Sequence, residues 1–289
     1  MMDVYNKKRS ICIRGSIYDF SEPRVMGVFN CTPDSFYDGG RFEGRANIID
    51  RISKMTEQGA DIIDIGAVSS RPGAVPVTEA EEVKRLTSVL NIVRENFPDL
   101  IISVDTFRPD VARIAVEDYR VDIINDISSG TLDINMLETI ARLQVPFIAM
   151  HMKGTPDNMQ LNPEYNDVTG DIIRYFSKRV SIMRSIGIKD IIIDPGFGFG
   201  KTLEHNYNLL GKLEDFGMFD LPLLAGLSRK SMICKVLGVI PENALAGTVA
   251  LNAIAILKGA DILRVHDVGE ACDTIKVVKK IRDLSVKTS

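Results

Sequence analysis

Hydrophobic positions fall along the chain in two alternating patterns. Short runs rich in Ile and Val, each closing on a polar residue or a turn, recur eight times: VMGVFN (25–30), DIIDIG (61–66), LIISVDT (100–106), DIINDI (122–127), PFIAMH (146–151), DIIIDP (190–195), PLLAGLS (222–228) and ADILRVH (260–266). Nearly continuous apolar runs of this length suit parallel strands buried on both faces. The segments between them have helical spacing. ANIIDRISKMTEQGA (46–60) runs to a Gly, EAEEVKRLTSVLNIVRENF (79–97) stops before Pro98, and DVTGDIIRYFSKRVSIMRSIG (167–187) follows the same period. The spacings from 100 to 122 and from 122 to 146 are short, yet each leaves room for a crossover helix.

Eight such units predict an α/β fold, a single (β/α)8 TIM barrel with its site at the C-terminal ends of the strands. A doubly wound open sheet is the alternative. It gathers useful residues at one switch point, whereas here all eight runs end in residues suited to a site. No Pro/Gly/Ser-rich linker divides the chain. The expected organisation is an N-terminal segment, 1–24, with two short strands capping the barrel bottom, followed by the barrel proper, 25–289.

Composition narrows the class. A chain of 289 residues fits one barrel of about 250 residues with a short extension. The net charge of −4, with both signs dispersed, argues against non-specific nucleic-acid or membrane-surface binding, though not against a small anionic ligand held by a local basic cluster. Cys12, Cys31, Cys234 and Cys272 form no CxxC pair, so a reducing, cytoplasmic setting is expected. The opening MMDVYNKKRS is polar, and no apolar run reaches 18 residues, so neither secretion nor a membrane span is expected.

The run ends carry the candidate chemistry. In order they present Asn30; Asp64, then Ser69, Ser70 and Arg71; Asp105; Asn125 and Asp126; Met150 and His151; Asp194; Ser228, Arg229, Lys230 and Ser231; and Arg264, His266 and Asp267. A single Asp at a strand end is often only a helix N-cap; eight such ends on a fold whose sites lie there point to a site. Asp126 is the weakest member, because an inward Asn125 turns its neighbour outward. Asp105, Asn125, Asp194 and Lys230 suit a flat heterocycle with several N–H donors and a ring acceptor, with Met150 and Phe199 placed to sandwich it. Arg71, Arg264 and His266 suit a phosphate or pyrophosphate. Asn30 offers an oxygen to Mg²⁺, which prefers such ligands and keeps waters. Two stretches mislead. PGFGFGKT (195–202) nearly matches a phosphate-binding P-loop, but Pro195 stands where the first glycine belongs. His151, His205 and His266 share no metal-ligand spacing.

Together MGVFNCTPDSFYDGG (26–40), DIGAVSSRPGA (64–74), SVDTF (103–107), INDISSG (124–130), MHMKGTPDNMQ (150–160), DPGFGFGKT (194–202), GLSRKSMI (226–233) and RVHDV (264–268) resemble the dihydropteroate synthase family, in order and at all eight strand ends. The resemblance implies a transferase of folate biosynthesis, a sulfonamide target. It would join p-aminobenzoate to 6-hydroxymethyl-7,8-dihydropterin pyrophosphate, releasing pyrophosphate. Residue by residue, it implies pterin contacts from Asp105, Asn125, Met150, Asp194, Phe199, Gly226 and Lys230. Pyrophosphate contacts would come from Asn30, Ser70, Arg71, Arg264 and His266. Phe36, Ser70, Pro72, Lys230 and Ser231 would border p-aminobenzoate, and Asn30 would coordinate Mg²⁺. Asp38, Arg71, Asp105, Lys230 and Arg264 would carry catalysis. A homodimer is also implied.

The second loop, within the stretch 64–74, departs from the family's pattern. Ala67 stands for Gly, Val68 for Glu and Ser70 for Thr; Ser70 keeps the hydroxyl, while Val68 removes a carboxylate and leaves its role open. Cys31 replaces a usual Val and reads as a small core residue. Rival readings are a pterin-dependent methyltransferase, which would not need the Arg71, SRK and RVH set; a Schiff-base aldolase using Lys230; and a non-catalytic pterin-binding paralogue, suggested by Val68.

Overall fold

The structure is a computed structural model that describes residues 9–31, 41–68, 77–155, 158–159 and 163–286. It opens on an antiparallel hairpin of β1 (Ser10–Ile13) and β2 (Ser16–Asp19). Eight parallel strands follow: β3 (Arg24–Asn30), β4 (Ile62–Gly66), β5 (Ile101–Asp105), β6 (Ile123–Asp126), β7 (Phe147–Met150), β8 (Ile191–Asp194), β9 (Leu224–Ala225) and β10 (Ile262–Val265). They pair in the order β8-β7-β6-β5-β4-β3-β10-β9. A parallel bridge between Ile193 and Leu223, with the Ile193 N–H donating to Pro222 O at 3.0 Å, closes the ring. The architecture is the expected barrel.

The helices are α1 (Arg41–Glu57), α2 (Glu79–Asn96), α3 (Pro109–Tyr119), α4 (Met136–Leu143), α5 (Val168–Ser185), α6 (Leu203–Gly211), α7 (Ser231–Leu237), α8 (Leu245–Leu257) and α9 (Val268–Val286). The second shows why such segments fold as they do. Thr78 caps it by accepting the Glu81 N–H, Glu79, Glu81 and Glu82 occupy the first turn, and Leu86, Val89, Leu90 and Val93 line one buried face. The third and fourth fill the two short crossovers.

Strand alternation divides the interior into levels. At the lower level Met26, Ile62, Ile123, Ile148, Ile192, Leu224 and Ile262 point inward and meet Ile11, Ile13 and Phe20 from the hairpin segment. Burying each of those three side chains is worth about 1.5–3 kcal/mol. Their outward neighbours, among them Val25, Ile63, Ile102, Ile124, Ile191 and Leu263, pack under the helices. Two residues further along each strand the inward set becomes Val28, Asp64, Ser103, Asn125, Met150, Asp194, Gly226 and Arg264. The barrel floor is therefore apolar and the next level polar.

Charged ties pin the floor from outside. Asp122, nearly fully buried, accepts Arg14 Nε at 2.6 Å, Arg94 Nη2 at 3.0 Å and the Ile102 N–H at 2.9 Å. The seventh barrel strand is shorter than the run at 222–228 suggested. After Ala225 the chain leaves the ladder for a turn in which Arg229 has φ +54° and its N–H donates to Thr248 Oγ1 at 3.0 Å. No described helix is long and apolar enough to cross a membrane.

Candidate active site

At the polar level, opposite charges meet across the barrel mouth. Arg264 on β10 donates Nε to Asp64 Oδ2 at 2.7 Å and Nη2 to Asp105 Oδ2 at 2.9 Å. The same Asp64 oxygen accepts Asn125 Nδ2 at 3.1 Å. Because a carboxylate only accepts, this bond fixes the Asn125 amide with its nitrogen on Asp64, leaving the carbonyl oxygen as the end that can receive a ligand's N–H. Asp64 itself is fully buried, and its Oδ1 has no hydrogen-bond partner among the described residues.

Asp105 lies at the tip of β5, with about a fifth of its side chain open. Burial pushes its pKa up to about 7; Arg264 pulls it down, while Asp64, Glu82 and Asp126 push it up further. Behind it Glu82 is held by Thr106 Oγ1 at 2.7 Å and by Arg108. Across the mouth, Asp194 is buried at the tip of β8, and its Oδ1 accepts the Gly196 N–H at 2.8 Å, which sets the carboxylate plane. Burial raises its pKa, against the pull of Lys230.

Lys230 follows β9. Its Nζ donates to Phe197 O and sits 4.9 Å from the centre of the Phe199 ring. Burial lowers the ammonium pKa to about 8, with Asp194 opposing and Arg264 reinforcing the shift. A Cβ on Gly226 would lie 3.7 Å from Lys230 Nζ and 4.0 Å from Arg264 Cβ, so this glycine leaves room between the two cations. Met150 is buried beside the same loop, its Cγ 3.2 Å from the position a Gly196 Cβ would take. Asn30 Oδ1 and Asp105 Oδ2 both lie 3.8 Å from where a Gly66 Cβ would stand, which puts them on one side of the mouth. His266 is exposed, with Nδ1 3.0 Å from Ser228 Oγ, and Ser231 is exposed at the start of α7.

The structure thus gathers Asn30, Asp105, Asn125, Met150, Asp194, Phe199, Gly226, Lys230 and Arg264 around one mouth; His266 directly follows β10, and Ser231 opens α7. Phe36, Asp38, Ser70, Arg71 and Pro72 lie outside the described residues. Two strand-end residues serve the frame instead. Asp126 turns away from the interior and accepts Ser128 N and Oγ and Gly130 N, ordering its own loop. Arg229 clamps Asp267 through Nε at 2.9 Å and Nη2 at 2.8 Å. His205 completes the capping box of α6 with Thr202. Cys31 is buried in the core, its thiol pushed up to about 12 by burial, so it is a packing residue.

Asp64 and Lys201 take positions whose partners are not evident from their local sequence. The signal for Asp64 was its parity: it stands two residues after the inward Ile62. Lys201 is 3% exposed, and Nζ points back into its own loop, 3.0 Å from His151 Nδ1, 2.8 Å from Gly196 O and 3.0 Å from Phe199 O. The near-match to a P-loop therefore fails in space as well as in sequence, since its lysine faces carbonyl oxygens.

The family of pterin binding enzymes matches residues 26–266, the span that carries the carboxylate-and-amide cradle and Arg264 beside it. The chain is 43% identical over 268 residues to the dihydropteroate synthase of Escherichia coli K12, covering 92% of this chain and 94% of that one. Its fold is similar to a Yersinia pestis dihydropteroate synthase solved with a sulfonamide drug complex, with TM-score 0.87, 40% identity, and 95% and 99% of the two chains covered. It is also similar to the Xanthomonas albilineans dihydropteroate synthase solved with 4-aminobenzoic acid, with TM-score 0.85, 37% identity, and 95% and 98% covered. The chain belongs to the dihydropteroate synthase family.

Proposed function

We propose that this barrel condenses p-aminobenzoate with 6-hydroxymethyl-7,8-dihydropterin pyrophosphate, giving 7,8-dihydropteroate and pyrophosphate for folate biosynthesis. The observation that carries this reading is the pairing of Asp105, Asn125 and Asp194 as acceptors with Lys230 as donor around one mouth, next to Arg264. Asp105 and Asp194 would take the ring's N–H groups, the Asn125 carbonyl another, and Lys230 a ring acceptor, with Met150 and the Phe199 ring against the faces and Gly226 providing the space. Arg264 and His266, with Ser70 and Arg71 from the second loop, would hold the pyrophosphate.

The reaction breaks the C–O bond between the pterin methylene and pyrophosphate and forms a C–N bond to the arylamine. Ring nitrogens delocalise positive charge on that methylene, so the path is S_N1-like. The separated charges would be met by Asp105 and Asp194 toward the electron-poor ring and by Arg264 toward the leaving anion. The arylamine is neutral near pH 7 and needs no strong base. Asp38, Phe36 and Pro72, which lie outside the described residues, would border p-aminobenzoate with Ser231 and keep out water.

Mg²⁺ suits the donors present. No cluster of three His, Cys, Asp or Glu among the described residues could hold a metal. Asn30 offers one oxygen on the Asp105 side of the mouth, which is enough for an ion that keeps waters and shares the substrate's phosphates. Bound there, it would neutralise pyrophosphate charge.

We also propose a homodimer. Ile254 and Leu257 on α8, and Val277 and Ile281 on α9, are exposed apolar pairs one helical turn apart on two neighbouring helices, with Val236, Leu237 and Ile240 nearby in the chain. Four free cysteines fit a reducing cytoplasm. The reading is tested by inhibition with a sulfonamide, which should compete with p-aminobenzoate and not with the pterin substrate. Competition against the pterin substrate would contradict the two-part site.

A further inference from the structure

Three glycines of the 195–201 loop have positive φ: Gly196 at +72°, Gly198 at +83° and Gly200 at +63°. Side chains there would collide with the backbone; a Cβ on Gly196 would stand 2.0 Å from His151 O, and one on Gly200 2.4 Å from Lys153 O. Left-handed glycines at alternate positions curl the chain so that its carbonyls face inward. Two of them, Gly196 O and Phe199 O, converge on Lys201 Nζ at 2.8 and 3.0 Å. The third close partner is His151 Nδ1 at 3.0 Å. Burial and the nearby Lys201 depress the His151 pKa to about 2, so the ring is neutral and its Nδ1 can accept.

His151 O adds a longer contact at 3.4 Å. Burial pulls the Lys201 pKa well below its usual value, with Asp194 opposing the shift; in its protonated form the side chain has three N–H bonds for these acceptors. The loop folds around its own lysine as it would around a bound cation. Its outer face carries the pterin half of the mouth. Phe199, whose backbone carbonyl is tied to Lys201, places its ring under Lys230 Nζ, and Phe197 O accepts from the same Lys230. One lysine lies inside the loop and one outside, and both contact the same four-residue stretch, 196–199.

We propose that Lys201 is a positioning residue for the pterin half of the site: caged by Gly196 O, Phe199 O and His151, it fixes the loop conformation that holds the Phe199 ring against Lys230 and the ligand. This rests on the pterin reading above. Lys201 is buried behind the loop and contacts no ligand itself; it acts through Phe199.

The test is a double-mutant cycle on the full chain, with 6-hydroxymethylpterin binding read by calorimetry for wild type, Lys201→Met, Phe199→Ala and the double variant. Lys201→Met keeps the length of the side chain and removes its donors. Each single change should weaken binding roughly tenfold. Combined, they should cost little more than the larger single loss, because both remove the same ring contact. Losses that multiply, to about a hundredfold, would overturn the proposal, and so would wild-type affinity in Lys201→Met. If Lys201→Met does not fold, His151→Phe removes one wall of the cage, and the same cycle with Phe199→Ala decides on the same criterion. Wild-type protein that binds no pterin would overturn the functional reading before any variant is compared.

Discussion

Arg264 Nε lies 2.7 Å from Asp64 Oδ2, a bond between residues 200 positions apart that ties β10 to β4 across the barrel interior. Asp64 spends that one oxygen on both Arg264 and Asn125. It therefore orients an anion-binding group and a ring-reading group at once. Replacing it with Asn keeps the shape and halves the accepting capacity. Asp64→Asn should lower kcat/KM by roughly 30-fold, the equivalent of about 2 kcal/mol for a weakened charge-assisted hydrogen bond. Steady-state kinetics check this; unchanged kcat/KM would mean Arg264 and Asn125 hold their positions without Asp64.

Arg264→Ala should hurt a pyrophosphate-bearing ligand more than a free pterin. Calorimetry with dihydropterin pyrophosphate and with 6-hydroxymethylpterin separates the two. A deficit roughly tenfold larger for the former is expected, since a charge-assisted contact to phosphate is lost only there. Equal losses would contradict the division of the mouth into two halves.

Pterin affinity should follow a bell over pH. The acceptor Asp105, raised to about 7 by burial, must lose its proton, so affinity rises as pH climbs through 7. The donor Lys230, lowered to about 8 by burial, must keep its proton, so affinity falls as pH passes 8. Arg264 is the cation that holds the Asp105 value down. In Arg264→Met the rising limb should therefore move to higher pH. Binding titrations from pH 6 to 9 measure both limbs, and a limb that stays in place would remove Asp105 from the binding step.

Gly226→Ala isolates space from charge. The added methyl fits the unliganded protein, at 3.7 Å from Lys230 Nζ and 4.0 Å from Arg264 Cβ. Thermal stability should hold within about 0.5 kcal/mol, while pterin binding drops at least roughly tenfold because the ring would need that volume. Normal binding would place the ligand elsewhere in the mouth.

Asp122 makes the opposite kind of prediction, one of stability without chemistry. Its carboxylate neutralises Arg14 and Arg94 beneath the barrel. Asp122→Ala strands two arginines and the Ile102 N–H, and should cost about 3 kcal/mol in denaturant unfolding. Activity at temperatures where the variant stays folded should be unaffected.

The barrel was legible because each strand is buried on both faces and so reads as an uninterrupted apolar run. The site was legible because the chain turns polar where those runs end. Parity also served, separating the inward Asn125 from the outward Asp126. What escaped was geometry that depends on partners far along the chain. Nothing near residue 64 reveals that Arg264 will meet Asp64, and nothing in GFGFGKT reveals that its lysine turns inward onto carbonyls rather than outward to phosphate. The brevity of β9 was hidden for a similar reason: the turn after Ala225 is held by Thr248, on a later helix. Phe36, Asp38 and Pro72 rest on the family resemblance alone, whereas Ser70 and Arg71 were also legible as polar residues just past a strand-end run.

The most direct measurement is pyrophosphate release by the purified protein with Mg²⁺, dihydropterin pyrophosphate and p-aminobenzoate. Release that requires p-aminobenzoate, is abolished in Asp105→Ala and yields dihydropteroate in equal amount is the predicted result. Pterin bound tightly with no release would contradict the synthase reading and mark the barrel as a binding protein or a methyltransferase.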